Sequence, residues 1–180
     1  MTRAAGFLLF IGLLAFAACR KTTADQPRLF TRIEATESGL AFNNEIVRFE
    51  NDTFNSLSYD PMYNGAGVGI GDFDRDGRPD VFMGGNQVSS RIFLNRGNWK
   101  FEDISEKAGV KTDRWCTGVS VADVNQDGWP DVYVCVAGPL EKGQDSSRRA
   151  NYLFINEGAK PGGVPRFSEK AAEYGLADTG

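Results

Sequence analysis

The sequence predicts an all-β fold made from two copies of one four-stranded unit. Three observations carry that reading: a long motif returns in phase, apolar residues fall in short alternating runs bounded by turn residues, and no stretch sustains a helical period long enough to compete. The motif Gly67-Val68-Gly69-Ile70-Gly71-Asp72-Phe73-Asp74-Arg75-Asp76-Gly77-Arg78-Pro79-Asp80-Val81-Phe82 returns 51 positions later as Gly118-Val119-Ser120-Val121-Ala122-Asp123-Val124-Asn125-Gln126-Asp127-Gly128-Trp129-Pro130-Asp131-Val132-Tyr133. Further on, Ile92–Asn95 matches Leu153–Asn156 at an offset of 61, and Phe101–Val110 matches Phe167–Leu176 at an offset of 66. The growing offset places two insertions in the second copy, around Glu141–Ala150 and around Gly158–Val164. Both are rich in Gly, Pro, Ser and charge and read as surface loops.

Taken in order, the strands of the first copy are expected at about Ala66–Gly71, Asp80–Met83, Arg91–Leu94 and Lys100–Ile104. Those of the second fall at about Thr117–Ala122, Asp131–Val136, Tyr152–Ile155 and Arg166–Glu169. Short helical turns are expected at Ser105–Ala108 and Lys170–Tyr174. Four short antiparallel strands recurring at this spacing are the signature of a β-propeller blade, so two blades are predicted. Upstream, Leu29-Phe30-Thr31-Arg32-Ile33 followed by Ser38-Gly39-Leu40 echoes the last strand of each copy and reads as a lone fourth strand. Two blades cannot close a ring, because propellers typically use four to eight. Gly175–Gly180 parallels the connector after the first copy, so the sequence stops where a third strand of the same kind is due and reads as a fragment of a longer product.

The beginning of the chain is different in kind. After Met1-Thr2-Arg3, residues Ala4–Ala18 carry no charge and are followed by Cys19 and a polar run to Pro27. Fifteen uncharged residues are short for a membrane span, which needs about 20, but suit the apolar region of a secretory signal. The domain organisation expected is therefore a signal peptide at 1–18, a polar tether at 19–27, an N-terminal strand and loop region at 28–65, and blades at 66–110 and 111–180. Phe16-Ala17-Ala18-Cys19 resembles the lipobox of bacterial lipoproteins, with phenylalanine where leucine is usual. By that resemblance Cys19 is the lipidation site, and the protein is exported and anchored to a bacterial membrane, at the outer membrane or cell surface. An ordinary signal peptide and an uncleaved anchor helix are the alternatives.

Composition excludes several chemistries. The 180 residues include no histidine, which removes Ser-His-Asp and Cys-His catalysis, histidine metal ligation and an imidazole pH switch. Any metal must be held by oxygen or thiolate. With 20 basic against 24 acidic side chains, a net charge of −4 and no basic run longer than a pair, no nucleic-acid partner is expected.

The chemistry lies in two carboxylate loops. Asp72, Asp74, Asp76 and Asp80 stand at positions 1, 3, 5 and 9 around Gly77, and Asp123, Asn125, Asp127 and Asp131 do the same around Gly128. Acidic groups packed so closely raise one another's pKa unless a cation lies among them. Ca²⁺ takes six to eight oxygens, and Asp/Asn at this spacing with glycine at position 6 is how an EF-hand loop wraps it. Position 7, Arg78 or Trp129, would contribute a backbone carbonyl. Position 12 is Met83 or Val134 and an apolar strand follows, so no exiting helix exists to swing. The ions, one per loop, are expected to staple strands and not to meet a substrate. On formal charge alone, four against three, the first loop is expected to bind more tightly.

These residues resemble FG-GAP/VCBS repeats, the calcium-loop blades of integrin α-subunit propellers, and in particular the VCBS-repeat lipoproteins related to the ASPIC/UnbV family. The resemblance runs from about Phe30 to Gly180 and includes Tyr63–Val68 and Trp115–Val119 leading into the loops. It implies about seven blades in the full product, frequent C-terminal domains, a place outside the cytoplasm, and a binding, adhesion or scaffolding role.

The remaining features have plainer readings. Cys116 and Cys135 allow a disulfide, but a hairpin that pairs Asp123 with Asp131 sets Cys135 opposite Val119, so two buried thiols are expected. Phe93, Phe101, Phe154 and Phe167 read as packing residues, and Trp99 and Trp129 as turn residues packed under a neighbour or stacked on a ligand. The function expected is a calcium-stapled, lipid-tethered, non-catalytic module that binds or scaffolds a protein or glycan. A polysaccharide hydrolase or lyase using paired carboxylates is the alternative.

Overall fold

The computed structural model describes residues 29–46, 63–138, 140, 143 and 145–179. The signal segment and Cys19 lie outside the described residues. Two compact units are distinguished, Met1–Arg32 and Ile33–Gly180. Of the first, the described residues 29–32 carry no regular structure, and Leu29 and Phe30 are exposed.

The second unit holds one short helix, α1 (Ala35–Ser38), and then two four-stranded antiparallel sheets in sequential order. Sheet A is β1 (Val68–Gly71), β2 (Asp80–Met83), β3 (Arg91–Asn95) and β4 (Phe101–Asp103), followed by the turn of helix α2 (Ser105–Ala108). Sheet B is β5 (Cys116–Ala122), β6 (Asp131–Val136), β7 (Tyr152–Asn156) and β8 (Phe167–Glu169), with a 3₁₀ turn at Ser146–Arg149 inside the longer insertion. The eight strands expected in the two copies are present to within two residues at their ends, and the expected helical turn at Ser105–Ala108 is α2. Lys170–Tyr174 forms hydrogen-bonded turns and no helix, although Tyr174 N–H reaches the Lys170 carbonyl at 3.1 Å.

The lone strand expected at Leu29–Ile33 does not form. The echo there belongs instead to the helical turn after a blade's last strand, since α1 ends at Gly39 with φ +81° as α2 ends at Gly109 with φ +77°. Both helices stop because glycine adopts the left-handed conformation at low cost.

Strand alternation decides how the sheets meet. Gly69, Gly71, Phe82, Ile92 and Leu94 face sheet B, which answers with Val119, Val121, Val132, Val134, Tyr152 and Phe154. Phe82 lies 6.3 Å from Phe154, Tyr152 stacks on Phe154 at 5.5 Å, and Phe73 meets Phe167 edge-on at 6.0 Å. Phe82, Ile92, Leu94, Val132 and Val134 are wholly buried, each contributing roughly 1.5 to 3 kcal/mol by leaving water. The expected packing role of Phe93, Phe154 and Phe167 holds, as all three are buried. Glycines at 69 and 71 let the sheets approach, because a Cβ on Gly69 would lie 2.7 Å from Val121 Cγ2. A second, smaller core of Leu153, Ile155 and Ala171 lies on the far side of sheet B, with Tyr133 and Ala177 against it. The far side of sheet A carries Val68 and Ile70, both exposed.

The β5–β6 register corrects the cysteine expectation. Ala122, not Asp123, pairs with Asp131, so Cys135 sits opposite Gly118 and Cys116 opposite Val136 across an irregularity. Both cysteines are free thiols; Cys116 is buried and Cys135 is exposed on the other face. The apolar run Val134-Cys135-Val136 is therefore core only at its two valines. Trp129 packs on Gly158, whereas Trp99 stands exposed at the β3–β4 turn.

Candidate metal centre

The two carboxylate loops join β1 to β2 and β5 to β6, and the same framework holds each. The position 9 aspartate bridges the start of the loop to the end of the third strand. Asp80 accepts from Phe73 N–H at 2.8 Å and Asn95 N–H at 2.7 Å, and Asp131 accepts from Val124 N–H and Asn156 N–H, both at 2.8 Å. The position 1 aspartate closes the turn: Asp72 accepts from Asp76 and Gly77 N–H at 3.0 and 2.9 Å, and Asp123 from Asp127 and Gly128 N–H at 3.1 and 2.8 Å. Position 7 is anchored to position 5, with Arg78 N–H on Asp76 at 2.9 Å and Trp129 N–H on Asp127 at 2.8 Å. Gly77 and Gly128 have φ of +85° and +88°, the left-handed turn for which position 6 needs glycine. Arg75 and Gln126 at position 4 also take positive φ, which the sequence did not signal.

Burial separates the two loops. Asp80 and Asp131 are both wholly buried, but at the other positions Asp74 is wholly buried and Asp72 and Asp76 half-buried, whereas Asp123, Asn125 and Asp127 are exposed. Burial pushes Asp80 up to about 6 against the pull of the Asn95 and Phe73 amides. Burial, and then neighbouring Asp76, also raises Asp74, which Arg96 opposes. Asp131 is raised by burial as well, against the amides of Asn156 and Val124.

Asp72, Asp74 and Asp80 each offer a carboxylate oxygen within 4.8 Å of the others. That span suits oxygens arranged about one Ca²⁺ at 2.3–2.6 Å. In one residue of the set, Asp74, the oxygen Oδ1 is buried without a hydrogen-bond partner. A buried anionic oxygen left unpaired is costly, and a cation among the three carboxylates removes that cost. The all-oxygen donor set fits a hard cation. Asp76 points elsewhere, forming an ion pair with the Arg78 guanidinium, which also donates to the Asn95 carbonyl at 2.7 Å. In the second loop Asn125 replaces the third carboxylate and turns its amide to Asp127 Oδ2 at 2.8 Å. The predicted ligand residues are thus gathered in each loop, but only the first loop brings three carboxylates together among the described residues.

Residues outside the loops complete the first one. Arg96 donates to Asp74 Oδ2 at 3.1 Å, to Glu102 Oε2 at 2.9 and 3.0 Å, and to the Gly162 carbonyl at 3.2 Å. Gly162 N–H in turn donates to the Asp74 carbonyl at 3.0 Å. The insertion at Gly158–Val164, expected to be a plain surface loop, therefore seals the first carboxylate loop. The repeat signalled Asn95 and Asn156, which align; neither Arg96 nor Gly162 has a counterpart in the other copy to mark it.

Two four-stranded antiparallel sheets, each with an acidic loop between its first and second strands, define a propeller-blade type of repeat, and comparison with known proteins points the same way. Residues 72–134, which span both loops, match the family described as FG-GAP-like repeat. Over 87 residues, 46% of this chain, the sequence is 32% identical to integrin alpha pat-2 of Caenorhabditis elegans and 31% identical to integrin alpha pat-2 of Caenorhabditis briggsae. The match spans only 7% of the length of each relative.

Proposed function

We propose that the protein is a calcium-stapled, exported propeller module, tethered to a membrane through a lipid on Cys19, which binds or scaffolds a protein or glycan ligand without catalysis. The observation that carries calcium is the buried, unpartnered Oδ1 of Asp74, whose carboxylate gathers with those of Asp72 and Asp80. Asp72, Asp74, Asp76 and Asp80, with the Arg78 carbonyl, would hold one ion, and Asp123, Asn125, Asp127 and Asp131, with the Trp129 carbonyl, the other. The match to FG-GAP-like repeats and the likeness to integrin α chains support a binding role in place of an enzymatic one. The acidic loops also take up seven of the 24 Asp and Glu residues, so the acidity reflects cation binding more than the choice of partner.

Bound ion does no chemistry on a substrate in this reading; it neutralises the loop and fixes the β1–β2 and β5–β6 hairpins. At calcium a hundredfold above Kd, one site stabilises the fold by about 2.7 kcal/mol. The melting temperature should fall on adding chelator and recover with Ca²⁺, and Asp74→Ala should remove part of the response. Melting curves identical in EDTA and calcium, with Asp74→Ala silent as well, would refute it. Tethering is tested separately by labelling cells with a fatty-acid probe, which Cys19→Ser should abolish.

A further inference from the structure

The two loops differ in a way that formal charge at the nine loop positions does not capture. Around the first, two guanidinium groups sit on the carboxylates: Arg78 on Asp76, and Arg96 on Asp74. At the matching places in the second copy stand Trp129 and Glu157. Glu102, which shares Arg96, is matched by Ser168, whose hydroxyl donates to Glu157. Arg75 does reach the second loop, but it lies over the Trp129 ring at 5.1 Å and not on a carboxylate.

The two oxygens of Asp74 differ: Oδ2 takes the Arg96 guanidinium, whereas Oδ1 is buried without a hydrogen-bond partner, and the carboxylate gathers with those of Asp72 and Asp80. Arg96 itself is about one-third exposed, and its Glu102 pairing and its bond to the Gly162 carbonyl hold it in place. It is thus a fixed positive charge a few ångströms from where a divalent ion would sit. Such a charge neutralises Asp74 in the absence of the ion and repels the ion when it arrives.

We propose that Arg96 is a built-in counter-cation that sets the calcium affinity of the first loop, holding the loop folded without Ca²⁺ at the expense of weaker Ca²⁺ binding. This rests on the reading that the loops bind calcium. It reverses the affinity order expected from counting carboxylates: the second loop, with no guanidinium on its acids among the described residues, binds more tightly than the first.

The test is calorimetric titration with Ca²⁺ together with melting in EDTA and in calcium, on the full chain. Asp123→Asn/Asp127→Asn silences the second loop so that the first reports alone. In that background Arg96→Gln should tighten Ca²⁺ binding by roughly tenfold, a figure from placing one charge near a divalent ion in partly screened surroundings. It should also lower the melting temperature in EDTA more than in calcium, widening the calcium-induced shift. Arg96→Lys, which keeps the charge, should restore wild-type affinity, as a merely structural role for the guanidinium fork would not. Unchanged or weaker binding in Arg96→Gln overturns the proposal while leaving the calcium reading intact. So does an Arg96→Gln chain that stays unfolded at saturating calcium, since the ion should then replace the lost charge. Absence of any heat with the parent chain, its second loop intact, overturns both.

Discussion

The side chain of Asn156, at the end of β7 in sheet B, donates 3.0 Å to the carbonyl of Phe73 in the first carboxylate loop of sheet A. This single amide links the third strand of one copy to the carboxylate loop of the other. Asn156 is wholly buried, and it also donates to Pro130 O at 3.2 Å and accepts from Gly158 N–H at 2.9 Å. Its counterpart Asn95 makes the bonds within its own sheet, to Pro79 O and from Gly97 N–H.

Asn156→Ala therefore removes the donor to the carbonyls of buried Phe73 and half-buried Pro130, one in each copy, and should cost about 2 to 3 kcal/mol, while Asn95→Ala should cost about 1 kcal/mol. Urea unfolding of both variants checks the order, and equal losses would mean that the link between sheets adds nothing.

Gly69→Ala should destabilise the fold by about 1 to 3 kcal/mol by overpacking the junction of the sheets. The new methyl would lie 2.7 and 2.8 Å from Val121 and Val119 side-chain carbons, and both valines are stiff at χ1. Ser120→Ala, at the matching place on the exposed far side of sheet B, should shift the melting temperature by less than about 1 °C.

Thiol accessibility depends on the register. In a Cys19→Ser chain, one equivalent of thiol, Cys135, should react with a disulfide reagent at once, and Cys116 only after unfolding. Burial raises the Cys116 thiol's pKa, against hydrogen bonds from Ser90 and Thr112, and so slows it further. Two fast thiols, or none, would contradict the β5–β6 pairing.

Asp113 ties the long insertion of the second copy to the sheet. Arg148 donates to it at 2.7 Å and the Tyr152 hydroxyl at 2.7 Å, and these hold its carboxyl below the usual range. A depressed carboxyl gives stability that is present above its unfolded value of about 3.9 and is lost as pH falls through the lower folded value. The stability difference between wild type and Asp113→Asn should thus be constant from pH 7 to about 5 and shrink towards zero below about pH 3.5. Its size at pH 7 should stay below about 1 kcal/mol because the pair is solvent-screened. A difference that grows on acidification would reverse the assignment.

What the sequence made legible was whatever repeats. The four strands of the unit, the loop positions and the turn glycines are written twice, and each copy checks the other. The register of β5 on β6 differs by one residue from the expected pairing because a hairpin loop's length does not say which flanking residues pair. The run Val134-Cys135-Val136 reads as core throughout, yet strand alternation leaves Cys135, opposite Gly118, on the exposed face. The upstream segment misleads because Phe30 through Leu40 matches both the last strand and the helix turn after it, and only the second half of the match folds alike. Arg96 and Gly162 escape notice for the opposite reason. Each occurs in one copy only, and their meeting at Asp74 depends on how the sheets stack, which no local pattern encodes.

The two sides of each sheet are not equivalent, and that asymmetry governs which positions evolution can vary. Sheet B packs half-buried Val119 and Val121 against sheet A, while their motif counterparts Val68 and Ile70 are 59% and 65% exposed. A polar residue at Val68 is therefore a surface change, and the same residue at Val119 is a core defect, although the two occupy one place in the repeat. Mutational tolerance along this chain is a property of the copy as much as of the motif.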